Sequence, residues 1–244
     1  MTAIIGDRGK RRRYDPDLAE KVNAEVRRGK ASQAEIEEIC RNYEKFMEGD
    51  PGAKAIVDEN KDPVDLRKEH PIIENSTKEA ILEFSRRLVE YKDRDNFFGN
   101  SAGYGGAGWY LTALLFINEN PEFEFDLTEL NKEGILLDKI GTYIKNKKLI
   151  VHGNVGDNAG TYADNSRIIV NGDARDWIGS ISKVSEIIVN GDAGKNVGSM
   201  AENSKIYVKG KIESLSPDIG EGTEVYQDKN GEKVLVYLRR SLKE

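Results

Sequence analysis

The chain is poor in the residues that build redox and metal sites. Its 244 residues include one cysteine, Cys40, and two histidines, His70 and His152. A single cysteine excludes an intrachain disulfide, and two histidines leave little for a histidine-based metal site. We therefore expect no metal and no cofactor, with a reducing cytoplasm as the setting. Cys40 is predicted to be a buried, inert thiol, and His152 to lie at an exposed corner.

Long hydrophobic runs are also missing. No stretch approaches the roughly 18 apolar residues of a membrane span. Charged residues make up 33% of the chain, and its mean hydropathy is −0.62. The first charges follow the few apolar residues at the start, which is the wrong order for a secretory signal. These features predict a soluble protein without membrane contact.

Positive charge is in slight deficit. The chain has 37 Lys and Arg against 43 Asp and Glu, a net charge of −6, which argues against a general nucleic-acid or membrane-surface binder. The local exception is the basic run Arg8–Arg13, in a segment, residues 1–15, that we expect to be flexible. This run could contact phosphates, but a solvated terminus explains it equally well, so nucleic acid is not expected as a partner.

Glycine, in contrast, recurs in register. Counted from Leu130, the chain repeats with a period of nineteen residues. Only 24 of the 244 residues are glycine, so the alignment of nine of them in two positions of the repeat indicates a repeat architecture. The fifth position holds Gly134, Gly153, Gly172, Gly191 and Gly210, and the twelfth holds Gly141, Gly160, Gly179 and Gly198.

Each repeat contains one short run rich in β-branched residues, followed two residues later by a glycine at a corner that we expect to need positive φ. Short strands separated by corners and repeated at a fixed period predict a β-solenoid, whose coils bond to each other through parallel strands. Stacking would bury Ile169, Ile188 and Tyr207, or their neighbours, in ladders. The predicted strands are Leu149–Val151, Ile168–Val170, Ile187–Val189 and Ile206–Val208.

Acidic residues also align in this repeat. Asp173 and Asp192 occupy one position, where the preceding repeat has Asn154. We expect these carboxylates to point into solvent at a corner; the alternative is a cation bound along the column.

The repeats resemble a known family. The segment Ile187–Met200, and less closely Ile168–Gly179 and Leu149–Gly160, is similar to the glycine-repeat (GXGXG) β-helix at the C-terminus of the glutamate synthase large subunit and to one of the subunits of formylmethanofuran dehydrogenase. The resemblance covers residues 130–215 and implies a right-handed, single-stranded β-helix with a structural role, so it assigns no catalytic residue. The last repeat departs from the pattern at Pro217, where we expect the final coil to close.

The remaining residues predict an α+β protein with a mostly helical N-terminal part. We place helices in residues 16–125, interrupted by a linker at 50–75, the β-helix at 126–224 and a C-terminal β-hairpin cap at 225–244, turning at Asn230-Gly231. Ser32 with Glu35, and Ser76 with Glu79, match the capping box that starts a helix.

A glycine-rich stretch at residues 99–108 formally matches a dinucleotide-binding fingerprint. That fingerprint requires a preceding strand, whereas the element before these glycines is a charged helix. The stretch is therefore a candidate pocket or partner loop, or a cover for the open end of the solenoid, and its glycines are equally explained by close helix packing. The candidate binding residues are Phe97, Phe98, Tyr104, Gly105, Gly106 and Trp109.

No convergent catalytic set is evident, so we expect no catalytic residue. The sequence favours a non-catalytic cytoplasmic scaffold or protein-interaction module that binds a protein partner or a second copy of itself. Two alternatives stay open: an accessory subunit of an oxidoreductase or amidotransferase complex, suggested by the resemblance, and a small-molecule or nucleotide site at the glycine-rich stretch.

Overall fold

The computed structural model describes residues 32–48, 76–93 and 106–238. It shows a β-solenoid of about four turns, with about nineteen residues per turn, preceded by helices, which confirms the α+β architecture in outline. The predicted basic segment 1–15, the linker 50–75 and residues 239–244 lie outside the described ranges.

Within the described ranges, three α-helices precede the solenoid: α1 (Gln33–Met47), α2 (Lys78–Arg87, followed by a 3₁₀ turn at Leu88–Tyr91) and α3 (Ala107–Ile117). The first predicted capping box is present, since the Ser32 hydroxyl accepts from the Glu35 N–H and the Glu35 carboxylate accepts from the Ser32 N–H. The second is wrong by one residue. Thr77 is the N-cap of α2, and its hydroxyl accepts from the Ala80 N–H. The preceding Ser76 carbonyl oxygen accepts from the Asn118 side chain.

Glu35 joins the two helix starts. Its side chain is fully buried, and while one carboxylate oxygen closes the α1 cap, the other accepts a hydrogen bond from the Thr77 N–H at 2.8 Å. Two backbone donors therefore satisfy the buried charge.

The interior of the helical layer is aromatic. The rings of Tyr43, Phe46, Phe84 and Tyr110 lie with neighbouring centroids 5.0 to 6.2 Å apart, and burial raises the pKa of the Tyr43 and Tyr110 hydroxyls. Cys40 is half-buried at the edge of this cluster, where burial raises its pKa. A raised pKa keeps the thiol protonated, in line with the predicted inert role.

One seven-stranded sheet runs the length of the solenoid. Its first five pairings are parallel and join consecutive strands, and the last, β6 with β7, is antiparallel. Each coil therefore bonds to its neighbours rather than to itself. The strands are β1 (Glu122–Asp126), β2 (Lys148–His152), β3 (Arg167–Asn171), β4 (Glu186–Val189), β5 (Lys205–Val208), β6 (Glu224–Lys229) and β7 (Glu232–Leu238).

The register stacks equivalent residues directly on each other. Ile168 pairs with Ile187 and Val170 with Val189, and all four side chains are fully buried. Burial of side chains of this size stabilises the fold by roughly 2 kcal/mol each. Ile169, named in the sequence prediction, lies on the outer face of the sheet, so it is its neighbours that form the interior ladders.

The sheet starts earlier than the sequence suggests. β1 begins at Glu122, and its residues pair with residues of β2 that lie 26 positions later in the chain. The spacing is longer than nineteen because this first coil also contains the short helix α4 (Thr128–Lys132). The repeat counted from Leu130 misses this coil, since the helix displaces the nineteen-residue spacing. β6 has two roles, as the last parallel strand and as the first strand of the predicted hairpin.

A column of buried hydroxyls crosses the coils at one corner. The Ser166 N–H donates to the Ser185 hydroxyl, and the Ser185 N–H donates to the Ser204 hydroxyl, both at 3.2 Å; Thr223 continues the series. The hydroxyls in turn donate to carbonyls, as Ser185 does to Ala163. Each buried polar group at this corner is thus paired.

Hydroxyl groups of the helices close the first coil. In later coils, the twelfth-position glycine N–H donates to the coil before it, as Gly160 does to Ile140. Gly141 has no such coil beneath it and donates instead to the Thr112 hydroxyl of α3 at 3.0 Å. Likewise the Asp126 N–H of β1 donates to the Ser85 hydroxyl of α2 at 2.9 Å. The helical layer therefore caps the solenoid, as an open end requires.

A candidate interaction surface

The glycine-rich stretch is only partly described. Phe97, Phe98, Tyr104 and Gly105 lie outside the described residues. Gly106 is the N-cap of α3, and a Cβ on Gly108 would overlap the Asp138 carbonyl oxygen of the first coil. Close packing of helix against coil therefore explains Gly108.

Trp109, another of the candidate residues, is buried beside the first coil. It is 7% exposed, its ring meets the Tyr143 ring edge-to-face at 6.1 Å, and the Lys139 ammonium lies 5.7 Å from its centroid. Helix α3 therefore places the Trp109 ring against the first coil.

The repeat glycines belong to two physical classes. At the twelfth position, all four have φ between 68° and 73°, and a Cβ there would press on stacked isoleucine or leucine side chains. At the fifth position, the expectation of positive φ is wrong for Gly172, Gly191 and Gly210. These three are needed for space, because a Cβ on Gly191 would overlap the Asp173 side-chain oxygen from the coil before.

The same contact explains the acidic column. Asn154, Asp173 and Asp192 each accept a hydrogen bond from the N–H nineteen residues later, at 2.7, 2.8 and 2.7 Å. The expectation that these carboxylates simply point into solvent is therefore incomplete, since one oxygen of each carboxylate binds backbone. Among the described residues, no group of three or more His, Cys, Asp or Glu side chains could hold a metal ion.

A second ladder of the same kind runs alongside. Asp138, Asp157 and Asp176 each accept from the N–H nineteen residues later, the last from Lys195 at 2.8 Å. The acidic side chains of both ladders thus act as fixed acceptors for the next coil.

His152 lies on the outer face of the sheet rather than at a corner. It is the last residue of β2, its Nε2 meets a Glu124 carboxylate oxygen at 2.5 Å, and its Nδ1 faces the Asn171 amide at 3.4 Å. Asn190 extends the chain by donating to Asn171 at 2.6 Å. The histidine is held in a polar ladder and does not face a nucleophile.

The unexpected feature is a column of apolar residues in left-handed backbone. Tyr143, Tyr162, Ile181 and Met200 occupy the same position in four successive coils, each with φ between 51° and 60°. Tyr162 is 41% exposed and Met200 49% exposed, and the first two rings stack at 4.5 Å. We call these four residues the apolar ridge. Trp109 meets its first member, Tyr143.

The coil that starts with β3 adds two further exposed apolar residues. Trp177 is 39% exposed with φ 64°, and Val184 is 59% exposed with φ 50°. Left-handed backbone suits glycine and asparagine but is strained for bulky or β-branched side chains, at roughly 1–3 kcal/mol for each residue.

The repeat supplies its own comparison for these two residues. In the coils before and after, the position of Trp177 is occupied by Asn158 and Asn196, which are also in left-handed backbone. The position of Val184 is likewise occupied by Asn165 and Asn203. Asparagine therefore satisfies the backbone at both positions. The fold alone does not account for tryptophan and valine in this coil, flanking Ile181. The repeat alignment contains this signal, because each of two positions holds asparagine in both adjacent coils and another residue in this one.

Charges beside the ridge are paired with each other. Lys145 binds Asp164 at 3.0 Å, and Lys183 lies 3.5 Å from Glu202. A shallow groove beyond them, lined by Asn146 and Asn165, has four cations on its wall. Lys148, Arg167 and Lys205 are each paired with a glutamate, and the Lys147 ammonium donates to the carbonyl oxygens of Asn118 and Asn120. The lysines directly beside the ridge are therefore paired with carboxylates, so the apolar area is flanked by neutral ion pairs on this side.

None of the described helices has both the length and the apolar character needed to cross a membrane. Comparisons with known proteins give no further guide to the site: no protein-family model, no curated protein and no solved structure matches this chain.

Proposed function

We propose that this protein is a non-catalytic binding module, a scaffold of the cytoplasm, whose apolar ridge, together with Trp177 and Val184, docks a protein partner. The observation that carries the proposal is the exposure of Trp177 and Val184 in strained backbone where neighbouring coils use asparagine. Strain that the fold does not require is a feature of functional surfaces. An exposed aromatic anchor with a polar rim is typical of the centre of a protein interface.

The chemistry of the partner follows from the rim. Because the nearby lysines are neutralised by Asp164 and Glu202, the surface favours an uncharged, apolar segment of a protein over a polyanion. The stacked faces of Tyr143 and Tyr162 cover each other, which disfavours stacking of a planar ligand between them. Binding through the ridge should therefore depend weakly on salt, whereas a nucleic acid would show a steep dependence.

The test uses variants that the repeat itself suggests. Trp177→Asn combined with Val184→Asn should keep the fold, because asparagine occupies both positions in adjacent coils. We expect the double variant to lose partners that the wild type captures from the native cell, with a purified partner binding at least tenfold more weakly in titration. A matched control, Ile169→Thr, removes apolar surface from the outer face of β3 and should bind the partner normally.

Equal capture by wild type and the double variant would contradict the proposal, as would binding that disappears at moderately raised salt. The right-handed winding and the glutamate synthase resemblance belong to this proposal as predictions. An accessory role in an oxidoreductase or amidotransferase complex would be recognised if the captured partner carried flavin or an iron–sulfur cluster.

A further inference from the structure

The two edge strands of the sheet differ in how they are covered. At the first edge, helix α2 covers β1: Ser85 accepts from the Asp126 N–H, and Arg86 binds the Asp126 carboxylate at 3.1 Å. At the other edge, β7 pairs with β6 on one side only, and within the described parts of the chain no strand pairs with its second side. An unpaired edge presents a row of backbone donors and acceptors, a template for another strand.

A bulge sets which side chains of β7 face outward. Tyr226 pairs with Leu235, but the next pair is Val225 with Tyr237, so Val236 is an extra residue. Val236 and Tyr237 pack on the core and close the last coil, while Leu235 is 45% and Leu238 38% exposed. The strand therefore caps the solenoid with one side and leaves leucines on the other.

Leu235 also ends an apolar column on the outer face of the sheet. The register places it beside Tyr226, which pairs with Tyr207, and Lys233 covers both tyrosine rings at 4.1 and 5.1 Å. The column then stops at an exposed leucine on an open edge. Its members, from the second coil onward, are Ile150, Ile169, Ile188, Tyr207, Tyr226 and Leu235.

We propose that a second copy of this chain pairs with β7, antiparallel, about a twofold axis at Leu235. An antiparallel edge strand complements an identical strand, as an isologous interface requires. With this register Leu235 meets Leu235 of the other copy, and Val234 meets its Val236. The outer apolar column then continues across the axis into the same column of the partner copy, and two seven-stranded sheets become one of fourteen strands. This interface is separate from the apolar ridge.

Sedimentation measurements on the full chain, from about 1 μM to about 100 μM, test the pairing. We expect the wild type to form a dimer as concentration rises. Leu235→Lys places two like charges at the axis and should weaken dimerisation at least tenfold. Val184→Lys introduces the same charge at a comparably exposed ridge position and should leave the dimer intact.

A cross-linking experiment covers the case in which Leu235→Lys fails to fold. In a Cys40→Ala background, Leu235→Cys should give a disulfide-linked or short-linker-bridged dimer, because directly opposed residues of an antiparallel pair lie about 5 Å apart at Cβ. Val184→Cys should give none. A wild type that stays monomeric throughout, a dimer unaffected by Leu235→Lys, or cross-linking no better at residue 235 than at 184 would overturn the proposal.

Discussion

The inside and the corners of the same coils follow opposite rules. Inside, the twelfth-position glycines combine left-handed backbone with isoleucine or leucine methyls only 2.7 to 3.0 Å from where a Cβ would stand. At the corners the backbone is just as left-handed, yet the chain uses asparagine, tyrosine, tryptophan and valine. The difference shows that positive φ alone does not force glycine here. Crowding does, and where solvent replaces crowding the chain accepts strain.

The largest expected effect comes from replacing a crowded interior glycine. Gly179→Ala adds left-handed strain and a Cβ that would stand 2.7 Å from the Ile187 Cδ1 atom and 3.1 Å from the Ile206 Cδ1 atom. We expect a loss of about 3 kcal/mol in the free energy of unfolding, measured with denaturant. The control is Gly134→Ala, which has φ 75° but no atom within 4 Å and should cost only about 1 kcal/mol. Equal losses would show that strain, not crowding, sets the rule.

A second substitution isolates crowding without strain. Gly191 does not have a positive φ, so Gly191→Ala adds no left-handed strain. Its Cβ would nevertheless overlap the Asp173 side-chain oxygen and stand 2.8 Å from the Gly172 backbone. A loss of about 2 kcal/mol in the free energy of unfolding is expected. Asp173→Ala removes one obstacle together with the acceptor for the Asp192 N–H.

The double variant therefore tests whether the two residues act together. Because the Gly172 backbone still crowds residue 191, Asp173→Ala should rescue only part of the loss, so the two changes should be less than additive in a double-mutant cycle. Full additivity would mean that the glycine and the aspartate are independent.

The smallest expected effect comes from exchanging tryptophan and asparagine at an exposed corner, which tests how much strain the corner carries. Trp177→Asn should raise the free energy of unfolding by about 0.5–1 kcal/mol, since asparagine tolerates left-handed backbone better than tryptophan. The reverse change one coil earlier, Asn158→Trp, should lower it by a similar amount. Thermal unfolding resolves shifts of this size, at roughly 2–4 °C per kcal/mol for a chain of this length. A stability loss in Trp177→Asn would mean that the indole packs for the fold, which would remove the main support for the ridge.

Several site residues could not be inferred from sequence for local reasons. The equivalence of Asp173 and Asp192 is visible in the repeat, but which group their oxygens meet depends on the nineteen-residue offset between coils and on the missing Cβ of Gly191. Trp177 departs from the asparagines of the adjacent coils in the repeat alignment, but that the position is left-handed and exposed is visible only in the structure. The Ser85 and Thr112 hydroxyls carry no signal at all, because their role exists only where a helix meets the first coil.

The sequence by itself determined the period, the strands and the corners, because stacked coils repeat one local environment and so demand the same residue types every nineteen positions. It did not determine how the stack begins, where it stops or which surface is left apolar. The two ends were decided by tertiary contacts that occur once: helix α3 against the first coil, and the bulge that turns Val236 and Tyr237 inward. The apolar surface depends on which repeat positions face solvent, which only the stacked coils decide. A feature without a repeat has no internal reference in the chain, and only the packed structure reveals it.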